Sequence, residues 1–128
     1  MDNIKTVLIV EDEISIMKAI LNKFKSEPFR TLEARNGEEG LEIALKEHPD
    51  LILLDVIMPK MDGITMLKKL RSGGDSWGRE AKVMMLTNLT DTKKLEEAKA
   101  LGADSYFIKT DLKIEDVLKT VIEKLNNI

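Results

Sequence analysis

Three uninterrupted apolar runs, VLIV (7–10), LILL (51–54) and VMML (83–86), constrain this chain more than any other feature. Runs of this kind suit strands that are covered on both faces, as in a parallel sheet. Strand candidates at 6–10, 29–34, 50–54, 82–86 and 105–108 alternate with helical patterns. Ile14, Met17, Leu21 and Phe24 share one helical face, and so do Ile114, Val117, Leu118, Val121 and Leu125. The alternation predicts a (βα)5 fold, a doubly wound parallel sheet of five strands with helices on both faces and right-handed crossovers.

Helix starts and stops agree with that pattern. Asn36 precedes the second helix, with Glu39 three residues on as its capping-box partner. Asp62 is placed to cap the third helix, Thr90 or Asp91 the fourth and Asp111 the fifth. Gly102 suits a left-handed stop after the fourth helix. The glycine-rich stretch SGGDSWGRE (72–80) is too short to act as a linker between domains, so residues 1–128 are expected to form one domain.

Composition removes several function classes. The net charge is −3 with acids and bases intermixed, which argues against nucleic-acid binding through a broad basic face. There is no cysteine and a single histidine, His48, so disulfides, thiolate metal sites and histidine-rich metal sites are out. No apolar run approaches the roughly 18 residues of a membrane span. The opening MDNIKTVLIVEDE lacks the features of a signal peptide, and the expected home is the cytoplasm.

In open α/β sheets ligands gather beyond the carboxyl ends of the strands. Those ends carry Glu11, Asp12 and Glu13 after the first strand, RNGEEG after the second, then Asp55, Thr87 and Lys109. With strand order 2-1-3-4-5 the first and third strands are neighbours, so Asp12 faces Asp55 while Thr87 and Lys109 approach from the other side. Two carboxylates ~5 Å apart repel by roughly 3 kcal/mol at an effective dielectric of ~20. A divalent cation relieves that repulsion, and Mg²⁺ suits a site with few carboxylates and room for waters and phosphate oxygens. Asp55 is then a carboxylate nucleophile, with Mg²⁺ and Lys109 neutralising an incoming phosphoryl group and Thr87 donating to one of its oxygens.

The residues VLIVEDE (7–13), LILLDVIMPKMDG (51–63), VMMLTN (83–88) and ALGADSYFIK (100–109) together resemble a response-regulator receiver domain, similar to the single-domain chemotaxis regulators of two-component signalling. The resemblance implies that Asp55 is the phosphoacceptor. It implies that Asp12, Asp55 and the Ile57 backbone carbonyl bind Mg²⁺, with Glu11 joining through a metal-bound water. Thr87 and Lys109 would contact the phosphoryl group, and Tyr106 would be an aromatic switch that turns inward. The donor would be a phosphohistidine on a sensor histidine kinase or phosphotransfer protein. The chain would catalyse only its own phosphorylation and dephosphorylation. The signal would leave through a protein partner on the fourth helix, fifth strand and fifth helix, with Lys93, Lys94 and Lys119 as interface candidates.

Some positions depart from the family pattern. Thr110 follows Lys109 where the family usually has proline in a cis bond. A non-proline cis bond costs about 2.5–4 kcal/mol. Either the bend survives strained, or the bond goes trans and re-aims Lys109; a more mobile loop is the expectation. Ile57 and Leu89, which flank the carboxylate, are apolar and unable to orient an attacking water, so a long-lived phosphoryl group is expected. Three rival functions compete with this one. A flavin carrier needs a hydroxyl- and glycine-rich phosphate loop where this chain has EDEIS, and an aspartate phosphatase often has a second aspartate where this chain has Ile57. The third is a receiver-shaped interaction module that is never phosphorylated. Simpler roles stand beside the sharp ones: Asp12 as a helix cap, Met58 packed under the active-site loop, His48 as an exposed loop residue, Trp77 at the far end of the sheet.

Overall fold

A computed structural model describes residues 4–88 and 92–127. Five parallel strands, β1 (Thr6–Val10), β2 (Arg30–Ala34), β3 (Leu51–Asp55), β4 (Val83–Thr87) and β5 (Ser105–Ile108), lie in the order β2-β1-β3-β4-β5. Six helices connect and follow them: α1 (Ile14–Phe24), α2 (Gly37–Glu47), α3 (Gly63–Ser72), α4 (Ser76–Glu80), α5 (Thr92–Ala100) and α6 (Ile114–Asn126). This is the flavodoxin-like doubly wound fold expected from the sequence.

The apolar runs are continuous because both faces of the sheet are covered. Successive strand side chains point to opposite sides. Leu8, Val10, Ile52, Leu54, Val83 and Met85 pack with Ala44, Met66, Leu67, Leu70 and Ala98 from α2, α3 and α5. Val7, Ile9, Leu51, Leu53, Met84 and Leu86 pack on the other side with Met17, Ile20 and Phe24 of α1 and Val117, Val121 and Leu125 of α6. Edge strand β2 is only partly buried. On α1, Ile20 takes the core place expected of Ile14, which is 54% exposed.

The strand ends differ slightly from expectation, with consequences for chemistry. β3 and β4 both begin and end one residue later, so Asp55 and Thr87 are the last residues of their strands. The ladder continues past the apolar runs because Asp55 pairs with Leu86 and the Val56 N–H donates to the Leu86 carbonyl at 3.0 Å. Backbone pairing therefore holds Asp55 where a loop would let it wander.

The glycine-rich stretch is not all loop. Asp75 accepts a 2.9 Å bond from the Trp77 N–H and starts the one-turn helix α4. The expected fourth and fifth helices are consequently α5 and α6. Gly78 packs so closely that a Cβ there would collide with the Leu70 carbonyl. Arg71 then fastens the amino end of the sheet: its Nε donates to the Leu101 carbonyl at 2.7 Å, and Nη1 to the carbonyls of Gly78 (3.0 Å) and Ala81 (2.7 Å).

Caps follow the sequence at some helices and not at others. Asn36 accepts from Glu39 N–H (2.9 Å) and Asp62 from Thr65 N–H (2.8 Å). Gly102 takes the left-handed φ of +85°. Asp111 does not cap the last helix. It lies in a 3-10 turn, Lys109–Asp111, and Lys113 holds the N-cap position without a side-chain bond. Thr90 and Asp91, the expected caps of α5, lie outside the described residues, as does Leu89. His48 is more than an exposed loop residue. It ends α2 in a left-handed conformation (φ 46°), stacks on Trp77 with ring centroids 4.5 Å apart, and lies 3.3 Å from the Asp75 carboxylate.

Candidate functional site

The carboxyl ends of β1, β3 and β5 bring Glu11, Asp12, Asp55 and Lys109 together, with Thr87 at the end of neighbouring β4. Glu11, Asp55 and Thr87 are the polar or charged residues buried as a whole among the described residues. Burial of charge is expensive unless it is paired. Here the pairing is lopsided. The Lys109 side chain is 4% exposed, and its Nζ lies 3.0 Å from Glu11, 3.1 Å from Asp55 and 2.7 Å from Glu13.

Asp55 is held by the ladder beneath it and by the loop that follows. Val56, Met58 and Ile64 are buried and pin that loop to the core. The Gly63 N–H donates to the Val56 carbonyl at 2.8 Å, and a Cβ on Gly63 would strike the Asp55 carbonyl. Glycine at 63 thus lets the start of α3 approach the reactive strand end. Ile57 sits in this loop, 57% exposed and outside the core.

The electrostatics are those of a crowded anionic pocket. Burial, then the neighbouring Glu11 charge, pushes the Asp55 carboxyl up to about 8, with Lys109 pulling the other way. Burial pulls the Lys109 ammonium down, but hydrogen bonds to Glu13 and Glu11 and the charges of Asp55 and Glu11 outweigh it, so its pKa rises. Glu11 Oε2 accepts from both Lys109 Nζ (3.1 Å) and the Glu13 N–H (2.9 Å). Glu11 Oε1 is buried and, although Lys109 Nζ is 3.0 Å away, receives no directed hydrogen bond.

One carboxylate oxygen each from Glu11, Asp12 and Asp55 lies within 4.8 Å of the others. An oxygen set of this size, with one buried oxygen still lacking a donor, fits a hard divalent cation. Asp12 is available for that role, since Glu13 holds the N-cap of α1 and no side chain caps that helix.

The remaining expected site residues fall around this centre. Thr87 is 7% exposed and pairs with Ile108, the residue before Lys109. Tyr106 lies on β5 with its side chain outward, 41% exposed, and Lys99 Nζ is 5.0 Å from its ring centroid. No peptide bond among the described residues is cis, so the Lys109–Thr110 bond is trans. The re-aiming of Lys109 expected with a trans bond does not occur: the 3-10 turn starts at Lys109 and its ammonium still reaches Asp55. Glu13 is the residue the strand-end reading left without a role. Its partner lies 96 positions away in sequence, so only the fold reveals the contact.

Comparisons with known proteins bear on the family and the fold. The response regulator receiver domain family matches residues 7–122. Sporulation initiation phosphotransferase F of Bacillus subtilis (strain 168) is 34% identical over 123 residues, covering 94% of this chain and 96% of that protein. A CheY-like response regulator receiver domain protein from Methanospirillum hungatei JF-1 superposes with a TM-score of 0.86 at 26% identity, covering 98% of this chain and 96% of the other. The CheX–CheY–BeF3–Mg complex of Borrelia burgdorferi gives a TM-score of 0.79 at 30% identity, covering 93% of this chain and 87% of that one. The chain also spans about half (51%) the length of some longer curated relatives that it matches.

Proposed function

The chain belongs to the response regulator receiver domain family, and we propose that its Asp55 accepts a phosphoryl group from a phosphohistidine in two-component signalling. The observation that carries this reading is the buried Asp55 carboxylate, 3.1 Å from Lys109 Nζ and grouped with Glu11 and Asp12 oxygens within 4.8 Å. In the transfer, an Asp55 carboxylate oxygen forms a bond to phosphorus as the phosphorus–nitrogen bond breaks. The electron pair of that bond leaves with the donor imidazole.

Receiver domains bind Mg²⁺ through acidic residues. In this chain Asp12, Asp55 and the Ile57 carbonyl would hold the ion, with Glu11 acting through water. Bound there, it would neutralise the charge that builds on the phosphoryl oxygens. The chain's own groups do the rest. Lys109 presents a fixed ammonium to one phosphoryl oxygen, and the Thr87 hydroxyl donates to another. The ladder bond from Val56 N–H to Leu86 O keeps Asp55 aimed at the pocket. The domain would act only on itself, catalysing its own phosphorylation and dephosphorylation.

Phosphorylation would replace the Asp55 carboxylate with a group carrying nearly two negative charges and strong acceptor oxygens. Thr87 and Lys109, drawn toward that group, would shift a two-state equilibrium in the segments leading into α5 and α6. Tyr106, now outward, would turn in as Thr87 moves. The α5–β5–α6 face, with Lys93, Lys94 and Lys119, would then present a changed surface to a downstream protein in the cytoplasm. Among the described residues no helix is long and apolar enough to cross a membrane.

Acetyl phosphate tests the reading. Parent protein should gain one phosphoryl group by mass spectrometry only with Mg²⁺ present, and Asp55→Asn should gain none. An unmodified parent would favour a receiver-shaped interaction module instead. With Ile57 and Leu89 apolar, the aspartyl phosphate should be long-lived, and Ile57→Asn and Leu89→Glu should hasten its decay. Unchanged decay rates would remove that element of the account.

A further inference from the structure

Glu13 stands at the N-cap of α1 yet spends its side chain elsewhere. Its backbone is extended (φ −76°, ψ 111°), as an N-cap requires, but no side chain caps the helix. The carboxylate reaches Lys109 Nζ instead, at 2.7 Å, the shortest of that ammonium's three ion pairs. The Glu13 N–H is also fixed, donating to Glu11 Oε2 at 2.9 Å. Glu13 is therefore tied to the pocket at both ends, with a half-exposed carboxylate (49%) at its mouth.

We infer that Glu13 is a positioning residue that competes with the incoming phosphoryl group for the Lys109 ammonium. The inference rests on the assignment of Asp55 as phosphoacceptor. In the unmodified protein Glu13 helps hold Lys109 among carboxylates. When a phosphoryl group arrives, Lys109 moves to it and the Glu13 pair is broken, which returns the carboxylate to the α1 N-terminus. Glu13 thereby lowers the affinity of the site for a phosphoryl group and couples its occupancy to α1, on the side of the sheet away from α5.

Two substitutions separate the contact from simple charge. Glu13→Gln removes the charge. Glu13→Asp keeps it but shortens the side chain by roughly 1.5 Å, too short to keep the pair, while supplying a preferred N-cap residue. Beryllofluoride with Mg²⁺ is the probe, with affinity read by NMR titration. A partly exposed ion pair contributes about 0.2–1 kcal/mol, so both variants should bind beryllofluoride about threefold more tightly than parent. Tightening in Glu13→Gln alone would assign the effect to charge at a distance and overturn the inference, as would no tightening in either. A second readout needs neither metal nor phosphoryl analogue. The ¹⁵N signal of the Lys109 ammonium should be visible in metal-free parent and broadened by faster proton exchange in both variants. If parent ignored beryllofluoride, the phosphoacceptor assignment would fail, and an ammonium signal unchanged in both variants would separately refute the Glu13 contact.

Discussion

At the carboxyl end of the sheet, the Lys109 ammonium lies within 3.1 Å of three carboxylates. At the amino end, the Arg71 guanidinium meets the backbone carbonyls of Leu101, Gly78 and Ala81 within 3.0 Å. Both cations join elements distant in sequence. Arg71 saturates neutral acceptors that would otherwise lose water without compensation, and the orphan left at that end, the Ser105 hydroxyl, is neutral. Lys109 is outnumbered, and Glu11 Oε1 still lacks a directed donor. The contrast separates a contact that stabilises the fold from a cluster that costs stability until a cation arrives.

The strongest challenge to that contrast is Lys109→Ala. Removing one partner from a buried charge cluster costs about 3–5 kcal/mol. Chemical denaturation of the metal-free variant should show a loss of that order, with a substantial fraction recovered in millimolar Mg²⁺. Arg71→Ala should come next, losing about 2–3 kcal/mol by orphaning backbone carbonyls. That loss should be the same with and without Mg²⁺, and acetyl phosphate should still modify Asp55. An Arg71→Ala protein whose stability depended on the metal as strongly as Lys109→Ala would erase the distinction between the two ends.

Smaller changes sharpen it. Glu11→Gln removes one charge from the crowded pocket and should stabilise metal-free protein by about 1 kcal/mol, while weakening Mg²⁺ binding measured by calorimetry. A destabilised variant would mean that Glu11 is already fully compensated by Lys109. His48→Ala should cost least, about 0.5 kcal/mol for the lost stack on Trp77. Tryptophan fluorescence should change with this substitution but barely with phosphorylation, because Trp77 packs at the amino end.

Much of this arrangement was legible in the chain. The apolar runs gave the strands their two covered faces, and the residues ending them gave Asp55, Thr87 and Lys109. β1 and β5 have the expected limits, β2 starts one residue later than expected, at Arg30, and β3 and β4 are each shifted one residue along the chain. Hydropathy stops at Leu54 and Leu86, but hydrogen bonding does not stop with it. α4 was hidden because Gly73 and Gly74 suggest a loop, and only the Asp75 cap hints at a helical turn. Asp111 misled because a side chain suited to capping was used up in a 3-10 turn before α6. The Glu13–Lys109 pair and the Arg71 clamp depend on tertiary proximity, for which no local pattern exists.

Convergence of the strand ends on a cation site is the claim on which the rest depends. The direct test is a Mg²⁺ titration of ¹⁵N-labelled protein followed by amide chemical shifts. The account predicts saturable changes centred on Glu11, Asp12, Glu13, Asp55, Val56 and Ile57, with Thr87 and Lys109 responding next, and their loss in Asp55→Asn. Shifts spread over the acidic surface without saturation, or none in the millimolar range, would contradict it.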